Sequence, residues 1–196
     1  MRSVTRQEIY GKAKVGTVAG LVGGFALFVS FFGIDSQLRA EPGTFYMMIG
    51  LAVGLHGMSA TIFGFIAHML TAATIGAVFC ICSLLHPMLN LRTIWKGIFA
   101  GGITGLEVYA IFFMPITLFL IMPTIDTSSS TMTSDELAVV AVIKSHITMI
   151  MWGALVLHIL YGTIMGLFSG MVIHEDYNKI PKKTAFDLES ESMPAT

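Results

Sequence analysis

Apolar positions fall in four long runs: Val15–Ile34, Phe45–Leu85, Ile94–Met122 and Leu137–Ile173. A helix needs ~20 predominantly apolar residues to cross a bilayer, so each run predicts a transmembrane span. The second and fourth runs are too long to be a span alone. A helix of about 40 residues would be ~60 Å long, twice the hydrocarbon thickness. Each must combine a span with a half-helix, an interfacial stretch or a protruding end.

The polar connections predict the orientation. Arg2, Arg6, Lys12 and Lys14 precede the first run, Arg92 and Lys96 lie between the second and third, and Lys179, Lys182 and Lys183 follow the fourth. The other two connections carry mostly acidic residues: Asp35 and Glu41 with Arg39 in one, Asp126, Asp135 and Glu136 in the other. The positive-inside rule then puts both termini and the middle connection in the cytoplasm, which four spans satisfy. Val15–Ile34 is longer than the ~7–15-residue core of a signal peptide, so it reads as a retained span. Residues 174–196 form a polar cytoplasmic tail.

Composition supports this reading. Of 196 residues, 55% are hydrophobic and 12% charged, against about 25% charged in soluble domains. That excludes a disordered chain, a nucleic-acid binder and an ordinary cytosolic enzyme. The net charge of −1 selects no partner. Cys80 and Cys82 sit in an apolar run and read as small core side chains, with a soft-metal pair as the alternative.

The chain also repeats itself. Gly16, Gly20 and Gly24 recur 81 residues later as Gly97, Gly101 and Gly105, and Phe31-Phe32 as Phe112-Phe113. From there the offset is 90: His56 matches His146, His68 matches His158 and Gly76 matches Gly166. His86 and His174 pair at an offset of 88. The predicted fold class is an all-α integral membrane four-helix bundle of two tandem parallel two-span repeats, 15–85 and 94–173, in one membrane domain. Gly162, Gly166 and Gly170 add a third stripe of spacing four. Small residues in such stripes let membrane helices approach closely, which predicts a tight four-helix bundle with little room for a wide pore.

Three polar side chains fall deep within the spans: Glu107 in the third, His68 in the second and His158 in the fourth. A carboxyl group in hydrocarbon is expensive and usually faces the bundle interior or a cavity. Along the axis Glu107 lies about one turn from the two histidines, so a Glu–His contact is feasible. The trio reads as helix glue, as a proton or ion pathway, or as a metal site. Glu107 is matched by Ala26 in the first half, which favours a specialised role.

His56 and His146 lie twelve residues before the deeper pair. They read as interfacial polar residues, or as a copper or zinc site with Met47, Met48, Met58, Met149 and Met151. A bis-histidine haem site would need each pair on one helix face, which a spacing of twelve does not give. No cofactor is predicted. Lys144, near Asp135 and Glu136, reads as surface pairing or snorkelling. The chain carries no P-loop, zincin motif or nucleophile elbow, and so no catalytic residue is assigned.

From Phe65 to Ile116 the sequence resembles bacterial inner-membrane proteins of the YagU type. The resemblance rests on Phe65-Ile66-Ala67-His68, Ile75-Gly76-Ala77-Val78, Pro87, Trp95, Gly97, Val108 and Met114-Pro115, with His158-Ile159-Leu160-Tyr161-Gly162 matching the second half. It implies a four-span bundle and little chemistry. In general character the chain is also similar to small multi-span accessory subunits of archaeal ammonia monooxygenase, a membrane copper enzyme, although no motif carries that likeness. The resulting expectation is a non-catalytic subunit or accessory protein of a larger membrane complex. Its partners would be lipid and other membrane subunits or further copies, with no nucleic acid. The alternatives are a small proton, metal or solute transporter built on Glu107, His68 and His158, and a bis-histidine cytochrome.

Overall fold

The computed structural model describes residues 5–37, 40–85, 91 and 93–179. His86 and the tail beyond 179 lie outside them. Among the described residues the chain is all helix, with no strand. The elements are α1 (Arg6–Gln37), α2 (Thr44–Leu51), α3 (Gly57–Leu85), α4 (Ile94–Val108), α5 (Met122–Thr127), α6 (Ser134–Ser145) and α7 (Ile147–Lys179). Wide π-type turns at Tyr109–Phe113 and Ile116–Ile121 carry α4 into α5. They flank Pro115, whose missing N–H interrupts ordinary helix bonding. Four helices are long and apolar enough to cross a membrane: Arg6–Gln37, Gly57–Leu84, Ile94–Thr127 and Ile147–Ile173.

The two overlong runs resolve into a short helix plus a long apolar one. In the second, α2 ends before a turn at Gly54 and Gly57, both with positive φ, and α3 begins. α2 lies antiparallel against α3: an added Cβ on Gly50 would collide with the backbone of Ala60, and one on Gly64 with that of Tyr46. Asp35, buried near the end of α1, accepts a hydrogen bond from the Gly43 N–H at 2.8 Å and holds the turn into α2. In the fourth run, α6 ends at Ser145, His146 caps it, and α7 begins at Ile147.

Packing is set by small residues. α1 packs on α3, α4 packs on α7, and α1 joins the two pairs by packing on α7. Between α1 and α3, a Cβ on Gly16 would meet the Gly76 carbonyl, and one on Gly20 the Ala72 carbonyl. Between α4 and α7, the same collisions pair Gly97 with Gly166, Gly101 with Gly162, and Gly105 with the His158 carbonyl. Close backbone-to-backbone van der Waals contact of this kind is how small residues let apolar helices pack. Two side-chain links add to it across the centre. The Tyr161 hydroxyl donates to the Ala72 carbonyl at 2.9 Å, and the Cys80 thiol to the Ser169 hydroxyl at 3.3 Å.

The expected compact bundle has one open side. α3 and α4 stand apart, and a crevice of about 970 Å³ runs between them. The glycine stripes bring α4 to α7 and α3 to α1, which leaves the outer faces of α3 and α4 unpaired.

Candidate functional site

The two deep histidines belong to one aromatic interior. His68 lies 5.5 Å from the Tyr46 ring and 6.4 Å from Phe31, centroid to centroid. Phe31 stacks on Phe45 at 4.3 Å, Phe45 reaches Phe113 at 5.9 Å, and Phe113 lies 4.8 Å from His158. An unbroken chain of ring contacts thus joins His68 on α3 to His158 on α7. The His158 Nδ1 is 2.7 Å from the Ala154 carbonyl. A carbonyl only accepts, so Nδ1 carries the proton, and in the neutral ring Nε2 keeps its lone pair. Among the described residues two buried side-chain atoms have no hydrogen-bond partner: the Tyr46 hydroxyl and His68 Nε2.

Glu107 is not part of this interior. Gly105 faces the His158 carbonyl, and Glu107 follows two residues later, about 200° around the helix. Its side chain is exposed and lines the α3–α4 crevice with Thr71, Thr74, Thr104 and Lys96. It makes no hydrogen bond with the described residues. The trio expected from the sequence is therefore split, with the histidines inside and Glu107 on the open side.

The shallower histidines diverge as well. His56 Nδ1 lies 3.1 Å from Glu136 Oε2, while His146 Nδ1 lies 2.9 Å from the Val142 carbonyl of its own turn. Glu136 is a buried junction outside the spans. It accepts from the backbone N–H of Thr133 and of Gly57, each at 2.9 Å. With Thr133 it forms the capping box of α6. Burial pushes the Glu136 carboxyl up, but the Thr133, Gly57 and His56 hydrogen bonds outweigh it, and the pKa is held below the ordinary value. Lys144 pairs with Asp126 on the same side.

Among the described residues, no three His, Cys, Asp or Glu side chains come together as a group able to hold a metal ion. Sequence reasoning missed Tyr46, Asp35 and Glu136. The Thr133-x-x-Glu136 spacing was a readable capping signal. Nothing local marks Tyr46, which reaches His68 only because α2 folds back. No protein family, curated protein or solved structure matches the chain.

Proposed function

We propose that this chain is a non-catalytic integral subunit or scaffold of a larger membrane complex. In this reading it sits in the cell membrane with both termini cytoplasmic and is built from two tandem two-span repeats held by glycine stripes. Kinship with YagU-type four-span proteins is part of the same proposal. The observation that carries it is Glu107, a carboxyl group in the middle of a long apolar helix, exposed in an open crevice and without a partner among the described residues. Polar groups at that depth are expensive and normally face protein or water, so a surface of this kind calls for a neighbour. The matched contacts Gly16–Gly76 and Gly97–Gly166 support the repeat.

A second reading, a small proton, metal or solute transporter, is favoured by the unpartnered Tyr46 hydroxyl and His68 Nε2. Purification from native membranes in mild detergent, followed by native electrophoresis and mass spectrometry, separates the two. The subunit reading expects stoichiometric foreign membrane proteins. A chain that runs alone and supports uptake when reconstituted by itself overturns it.

A further inference from the structure

The α3–α4 crevice has the dimensions of a rod lying along the spans. Its wall on α4 and the wide turn that follows runs from Lys96 to Phe112, ~24 Å at 1.5 Å per residue, most of a ~30 Å hydrocarbon core. Its α3 wall runs from Leu70 to Cys82. The walls are mainly apolar. The Thr71 and Thr74 hydroxyls donate to the carbonyls of Ala67 and Leu70, each at 2.8 Å. Lys96 is eleven residues from Glu107 on the same face, ~16 Å along the axis, too far to pair with it. The unmet polar demand of the crevice is concentrated at Glu107.

Charge decides what fills such a groove. A lipid acyl chain brings no donor. A second copy of this chain brings no Lys or Arg to that depth, because Val15–Ile34, Gly57–Leu84, Gly97–Thr127 and Ile147–Ile173 contain none, and the histidines of those segments, His68 and His158, pack in the aromatic interior. We propose that the crevice seats one transmembrane helix of a different protein, with a Lys or Arg at the level of Glu107 and apolar or small residues above and below it. Buried ion pairs of this kind fix register and partner choice. The inference rests on the subunit reading and names the partner's chemistry.

The test places a photoreactive residue at Ile103, one turn from Glu107 in the crevice, and another at the exposed Ile62 outside it, in the full chain in native membranes. Ile103 is expected to cross-link to a single foreign transmembrane peptide containing Lys or Arg, and Ile62 is not. Glu107→Lys should lower the adduct at least ~10-fold, and replacing the partner's basic residue with Glu should restore it. Because Glu107 is exposed, the thermal unfolding midpoint in detergent should stay unchanged. If Glu107→Lys fails to insert, Glu107→Gln takes its place, with a smaller loss of adduct expected and full yield overturning the proposal. Cross-links only to lipid, to a second copy, or to a foreign segment without a basic residue also overturn it. If the chain still migrates in a complex with other proteins, the subunit reading survives that failure; if it migrates alone, both fall.

Discussion

Glu136 joins the starts of two helices far apart in sequence. One carboxylate oxygen accepts from the N–H of Gly57, which opens α3, and the other from that of Thr133, which caps α6. His56 closes the arrangement at 3.1 Å. A carboxylate is suited to this place because both oxygens accept. It also sits at two helix N-termini, where negative charge is favoured.

Glu136→Gln leaves one acceptor oxygen, so one of the two N–H groups faces an amide NH₂. The expected cost is about 1–2 kcal/mol at neutral pH. The folded-state pKa of Glu136 is lowered. Its contribution is therefore fully present above the unfolded carboxylate pKa and is lost as pH falls through the folded value. Thermal unfolding of both proteins in detergent between pH 7 and pH 3 checks this. The gap should narrow with acid, and a constant gap would show that the carboxylate charge is irrelevant.

Gly101→Leu should separate α4 from α7, because even a Cβ there collides with the Gly162 carbonyl. Overpacking of this kind costs about 1–3 kcal/mol or more. Gly33 has nothing within 4 Å of an added Cβ, so Gly33→Ala should gain up to about 1 kcal/mol of helix propensity. Equal unfolding midpoints for the two variants would refute the packing account.

Tyr161→Phe removes the hydroxyl that donates to Ala72 across the bundle. A loss of about 0.5–1.5 kcal/mol is expected, read as a lower midpoint. A phenylalanine variant as stable as the parent would show that the link contributes nothing.

Tyr46→Phe deletes a buried hydroxyl that has no hydrogen-bond partner among the described residues. In a dry interior it should be neutral or stabilising, because no hydrogen bond is lost. A fall of more than about 1 kcal/mol would instead indicate a bound water satisfying the hydroxyl. That result would strengthen the transport reading.

Ser129 is exposed in the connection between the third and fourth spans. In the proposed orientation, with both termini cytoplasmic, Ser129→Cys should react with an impermeant thiol reagent added outside intact cells. Reaction only after lysis reverses the proposed orientation.

Four helices long and apolar enough to cross a membrane were legible in the chain because hydropathy is a local property, and so was the spacing of four of the glycines found where α4 meets α7. So was the excess length of the second and fourth runs, although not that α2 turns back along α3. The side on which Glu107 lies was also readable: it follows Gly105 by two residues and so points away from the stripe. What it faces was not, since the crevice exists because α1 packs on α7 while α3 and α4 do not pack closely. The same holds for Tyr46 beside His68, and for His56 choosing Glu136, eighty residues away. Such pairings depend on which helix faces meet and at what height. Those are relations between distant segments, decided when the glycine surfaces lock and the short helices find the space that remains.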